Sequence, residues 1–192
     1  RGRLKKNFGF ISLFDHPSQT NDGLAGVFAA YETIKRLKNI KTKYSYFSFA
    51  SIEIVGSVFY LNKMKNFMNN CLGTINLQFP GINSKVCFQE TMNGNTIIDR
   101  VIKNVLNYPK KNRIYKQREI LGNDETIFES NNFNIPSATL LRYPFKEYHS
   151  DQDNMKITKK KNIEEIIALN LETVFILENN SNFKSVISTA PC

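Results

Sequence analysis

A chain of 192 residues is long enough for one domain with a substantial core and short for two. With 41% hydrophobic and 22% charged residues it reads as folded globular material, which excludes a disordered or fibrous protein. The formal charge of +9 raises nucleic-acid binding, but the basic residues are scattered. Only Lys110-Lys111 and Lys159 to Lys161 cluster, and neither is interleaved with aromatics, so no nucleic-acid partner is expected.

No apolar run approaches the roughly 18 residues of a membrane span, and no signal segment with a cleavage site opens the chain. Arg1 leads almost directly into a strand-like run, and Ser185 to Cys192 stops without a helix end or charged tail. The expectation is one domain over 1–192, cut at both ends. Cys71, Cys87 and Cys192 are odd in number and widely spaced, which speaks against a disulfide framework or a cysteine-zinc site. A reducing, cytoplasmic setting is the expectation.

Along the chain, Phe8 to Phe14 is an apolar run fit for a buried strand. Leu24, Val27, Phe28, Tyr31, Ile34 and Leu37 then recur at helical spacing, with Lys35, Arg36 and Lys38 at the end that suits cations. Tyr44 to Ile54 reads as a second strand, Gly56 to Asn69 as a helix, and Cys71 to Phe79 as a third strand closed by Pro80-Gly81. Val86 to Phe88 suggests a short edge strand, and Ile97, Ile98, Val101, Ile102 and Val105 another helix. Lys110 to Gly122 reads as a polar loop, Ser137 to Leu141 as a fourth strand, and Ile163 to Leu177 as a long final helix. The alternation predicts an α/β fold: a mostly parallel central sheet flanked by helices.

Ligands in such sheets bind beyond the carboxyl ends of the strands, so the polar segments there matter most. After the first strand come Asp15, His16 and Asp22. Glu53, between Ile52 and Ile54, follows the second, and Glu147, His149, Asp151 and Asp153 follow the fourth. The chain's two histidines both fall in these turns. Zinc takes imidazole nitrogen and carboxylate oxygen, and a catalytic site keeps three protein ligands and an open position. Asp22, Glu53 and His149 form such a set if the sheet brings them together. Each has a plainer reading. Asp22 caps the following helix, Asp15 and His16 are turn residues, and His149 is a structural histidine. Glu53 is harder to explain away, because a carboxylate between isoleucines costs energy unless it is paired or metal-bound.

Five segments in order resemble the superfamily of zinc aminopeptidases and glutaminyl cyclases, and especially bacterial aminopeptidase-like domains. They are NDGLAG (Asn21 to Gly26), EIVGS (Glu53 to Ser57), GNDETIF (Gly122 to Phe128), NIPSATLL (Asn134 to Leu141) and YHSDQDN (Tyr148 to Asn154). The resemblance implies a zinc-aminopeptidase-like fold. It implies one zinc on Asp22, Glu53 and His149, with Asp124 binding substrate and Asp153 orienting His149. It also shows departures. Leu13 stands where a first ligand histidine is usual, and Gln78 where a metal-binding Asp is usual. Ile52 precedes Glu53, leaving one carboxylate for two roles, ligand and catalytic base. His16, close to the lost position, is a candidate substitute ligand.

The expected function is therefore a single-zinc, aminopeptidase-like domain acting on the N-terminal peptide or amide bond of a peptide or aminoacyl-type small substrate. At most one tightly held zinc, and very weak or absent hydrolysis of aminoacyl amides, are expected. The alternatives are a catalytically degenerate domain that binds a ligand or partner in the old cleft, and a nucleic-acid module supported by net charge alone.

Overall fold

The computed structural model describes residues 2–17, 19–106 and 113–180. Its strands are β1 (Asn7–Leu13), β2 (Ser45–Ser51), β3 (Cys71–Gln78), β4 (Lys85–Gln89), β5 (Ile114–Tyr115) and β6 (Ser137–Tyr143). The helices are α1 (Ala25–Leu37), α2 (Val55–Lys63), α3 (Lys65–Met68), α4 (Ile97–Val105), α5 (Glu125–Phe128) and α6 (Lys160–Asn179). A single π-type turn, Thr20–Leu24, precedes α1. The six strands form one sheet in the order β2-β1-β3-β6-β4-β5. β2, β1, β3 and β6 run parallel, β4 is antiparallel to β6, and β5 is parallel to β4. The mostly parallel α/β sheet expected from the sequence is present.

The pleat sorts the core. Phe8 and Phe10 of β1 join Ile75 and Leu77 of β3 in the main cluster, beneath α1, α4 and α6. Ile11 belongs to a second cluster, with Leu61 of α2 and Phe128 of α5. Residues of opposite parity on one strand point to opposite faces, so helices cover both sides of the sheet. α6 repeats Ile163, Ile166, Ile167, Val174 and Leu177 inward. Its buried Asn170 donates to Thr33 of α1 at 3.1 Å, which satisfies one polar group between the two helices.

Several boundaries differ from the sequence reading. Val86 to Phe88 lie in β4, which is not at the edge because β5 covers it. β5 falls inside Lys110 to Gly122, where a loop was expected; two residues in a polar, basic stretch carry no periodic signal. The Lys110-Lys111 cluster and Cys192 lie outside the described residues. Among the described residues Cys71 and Cys87 are free. The expected Gly56–Asn69 helix divides at Met64, where φ is −101° and ψ 22°, into α2 and α3. β2 stops at Ser51, freeing Ile52, Glu53 and Ile54 for a turn.

α4 opens with a capping box. Thr96 takes the Asp99 amide on its side chain, and the Asp99 carboxylate accepts from the Thr96 amide at 2.7 Å. Asp99 also accepts from the amide and hydroxyl of Thr91 at 2.9 and 2.6 Å, tying the helix start to the end of β4. Thr96→Ala leaves Asp99 in place, so a loss of about 1 kcal/mol in denaturant unfolding is expected, with no change in denaturant dependence.

Candidate metal centre

The site forms where β1, β2 and β6 release the chain at their carboxyl ends. Asp15 and His16 follow β1. The turn carrying Asp22 is pressed against the sheet: an added Cβ at Gly23 would collide with the Leu13 carbonyl, and one at Gly26 with Ser12 and the Leu77 carbonyl. This is the physical content of NDGLAG. Its glycines let the turn approach β1 and β3 closely enough for Ser12 to donate to the carbonyls of Gly23 and Leu77, at 3.3 and 3.2 Å. Asp22 makes no side-chain cap to a helix amide, so the capping reading is not what the structure shows. The Asp22–Gly23 peptide is cis.

Asp153 fixes this turn from below. Wholly buried, it accepts from the amide of Asn21 at 2.9 and 3.0 Å, from the Asn21 side chain at 2.9 Å and from the amide of Asp22 at 2.9 Å. The role implied for Asp153 was to orient His149; in the structure its hydrogen bonds go to Asn21 and Asp22.

Two imidazoles converge on Asp22. His16 Nδ1 lies 3.1 Å, and His149 Nε2 3.2 Å, from Asp22 Oδ2. The rings are nearly perpendicular, at 88°, with centroids 5.0 Å apart. Tyr148 stacks on His149 at 3.8 Å, and His149 itself has φ of 54°, a conformation non-glycine residues seldom adopt. Asp22 Oδ2 and His16 Nδ1 are buried, and neither has a hydrogen-bond partner of acceptable geometry. Buried polar atoms are nearly always satisfied, and these facing orphans are an arrangement that a cation could satisfy. Burial pushes the Asp22 carboxyl above its ordinary range, against the pull of the two histidines.

Glu53 lies beside this group. Its Oε2 is 3.4 Å from His16 Nε2, and its amide donates to Asp15 Oδ2 at 3.0 Å. Burial raises its carboxyl too, with His16 opposing and Asp15 adding. The turn that presents it includes Ile54 at φ 62°, whose amide donates to Asp124 Oδ1 at 2.7 Å. Asp124 is almost wholly buried and pushed up to about 6, chiefly by burial. Asp124, implied as a substrate-binding residue, thus anchors the Glu53 turn.

Two triplets have ligand atoms all within 4.8 Å of one another: His16, Asp22 and His149, and Asp15, His16 and Glu53. Of the expected triplet, Asp22 and His149 come together, while Glu53 belongs with His16 in the neighbouring group. His16, a mere substitute on the sequence reading, sits in both. Leu13, read as the lost ligand position, is fully buried at the end of β1. The turn that follows carries His16 back to the site three residues later. Gln78 is buried at the end of β3 and donates to Asn76 at 3.2 Å.

The mostly parallel sheet, with histidines and carboxylates gathered at its strand ends, has an aminopeptidase-like α/β fold. The chain belongs to the family described as "Domain of unknown function (DUF4910)", whose model matches residues 1–180. It is 30% identical, over 95% of its length, to a Clostridium acetobutylicum "Putative polysaccharide biosynthesis protein with aminopeptidase-like domain", of which it covers 43%. It superposes with a TM-score of 0.86 and 28% identity on the crystal structure of a "putative peptidase" from Clostridium acetobutylicum, over 94% of this chain and 43% of that one. The zinc aminopeptidase BSAP from Bacillus subtilis shares the fold at TM-score 0.74 and 14% identity, over 94% of this chain and 48% of that one. Porphyromonas gingivalis glutaminyl cyclase does so at 0.72 and 15%, over 90% and 72%. The chain thus spans less than half the length of either Clostridium protein. No described helix is long and apolar enough to cross a membrane.

Proposed function

We infer that this chain is a zinc-dependent, aminopeptidase-like domain that acts through one metal ion on the N-terminal peptide or amide bond of a peptide or aminoacyl-type substrate. The observation that carries the reading is the pair of imidazole nitrogens aimed at one buried, otherwise unpartnered carboxylate oxygen. Asp22 and His149, with a third ligand from His16 or Glu53, would hold the ion. A zinc ion so held would polarise a carbonyl and lower the pKa of a bound water. Asp153 keeps Asp22 in place through the backbone. Glu53, partly open to solvent, is the proton acceptor for the attacking water, a role that typically contributes about 10²–10⁴-fold.

A second reading, a degenerate ligand-binding domain, is favoured by Gln78, which places a neutral amide at the end of β3, and by Ile52, which leaves Glu53 without an acidic neighbour. The test is to assay zinc-loaded protein against aminoacyl anilides and N-terminal glutaminyl peptides. Slow turnover of at least one set, lost in Glu53→Gln, is expected. Retained zinc with turnover of neither would replace the enzyme by the binding domain.

A further inference from the structure

Glu53 has been left with more than one role, and the geometry around His16 separates them. The two nitrogens of an imidazole lie on opposite edges of the ring, and here they face different carboxylates. Nδ1 faces Asp22 at 3.1 Å and Nε2 faces Glu53 at 3.4 Å. Glu53 is therefore across the ring from the oxygen that His149 also approaches. Its position is fixed by the backbone. The Glu53 amide donates to Asp15, the residue before His16, at 3.0 Å, and the Phe14 amide donates to the Ser51 carbonyl at 3.2 Å. These two bonds hold the Asp15-His16 turn and the Glu53 turn side by side, so the Glu53 carboxylate meets the outer edge of His16. A ligating histidine commonly has its other ring nitrogen bound to a carboxylate that fixes its tautomer and orientation.

We propose that the metal is held by His16 Nδ1, Asp22 Oδ2 and His149 Nε2, and that Glu53 is not a ligand but the positioning residue of His16. This rests on the metal reading above and deepens it. The set has two imidazoles and one carboxylate, a neutral-nitrogen-rich composition that suits zinc. It also spares Glu53 from being metal ligand and proton acceptor at once. Glu53, free of the ion, keeps an oxygen for the proton of the attacking water while the other orients His16. The competing triplet of Asp15, His16 and Glu53 offers one imidazole only; Asp15 Oδ2 takes the Glu53 amide while its buried Oδ1 has no partner, so the number of imidazoles per zinc separates the two.

Zinc competition titrations and X-ray absorption of the zinc-loaded chain test the assignment, with His16→Ala, Glu53→Ala and Glu53→Gln, each checked for folding by circular dichroism. Two imidazoles per zinc are expected in the parent. Glu53→Ala is expected to weaken zinc binding about 10–100-fold while both imidazoles remain. Glu53→Gln, whose amide oxygen still accepts from Nε2–H, should recover most of that loss. His16→Ala should leave one imidazole per zinc and bind more weakly than Glu53→Ala. One imidazole in the parent, two zinc ions per chain, or no recovery with glutamine would overturn the assignment and leave the metal reading standing. Failure of the folded parent to take up zinc would remove both.

Discussion

Asp22→Ala is expected to abolish stable zinc retention: after gel filtration without added metal, the variant should carry less than about a tenth of the parent's zinc. Loss of a supporting residue alone typically costs about 10–100-fold in metal affinity, and Asp22 is the oxygen on which both histidines converge. The fold should survive. Burial raises the Asp22 carboxyl, so without the ion its charge is held at a cost that alanine removes. Equal or higher thermal stability of the metal-free variant, together with lost zinc, is therefore the expected pair of results. Parent-like zinc content after Asp22→Ala would move the centre elsewhere.

Asp153→Ala should do the reverse, damaging the fold first and the metal site as a result. Its carboxylate accepts from the amides of Asn21 and Asp22 and from the Asn21 side chain, all in a buried setting. Hydrogen bonds to a charged group are each worth about 1.5–3 kcal/mol, and stranded donors add a penalty that water only partly offsets. A loss of about 3–5 kcal/mol in chemical unfolding is expected, well above the ordinary substitution. Asp153→Asn keeps one acceptor oxygen and should lose roughly half as much. A change below about 1 kcal/mol for the alanine variant would mean that the turn is held by the close approach of Gly23 and Gly26 instead.

The parts of the fold that were legible are those whose burial is written in periodicity. Phe8 to Leu13 is a near-continuous apolar run because both faces of a parallel strand are covered, whereas in Cys71 to Gln78 the apolar Ile75 and Leu77 alternate with buried Thr74, Asn76 and Gln78. Ile98, Val101, Ile102 and Val105 mark one face of α4 for the same reason. Pairing was not legible. Nothing in Lys85–Gln89 says that it runs antiparallel to β6 and parallel to a two-residue strand, since that depends on contacts far along the chain. Motif order singled out Asp22 and His149, whose side chains the fold brings to 3.2 Å of one another. His16 was undervalued because Leu13 occupies the strand position where a ligand was sought. A sequence cannot show that a short turn returns a side chain to the space the strand end vacates. Asp15, read as an ordinary turn residue, holds the Glu53 amide, and only coordinates reveal a backbone partner 38 positions away.

The terminal position of β2 in the sheet has a practical meaning for handling the isolated chain. Ser45–Ser51 carries Tyr46, Phe47 and Phe49, and among the described residues no strand lies on its outer side. Exposed Phe28 and Tyr31 of α1 and Val55 and Phe59 of α2 stand on the helices that follow β1 and β2. A long, aromatic, uncovered border of this kind is a template on which extended backbone can add, with apolar surface ready to reward it. Strand addition of one copy to another is thus the route by which concentrated samples would lose monomer. It leaves the His16, Asp22 and His149 cluster at the strand ends untouched, so any zinc content and turnover per chain are expected to stay level while light scattering rises.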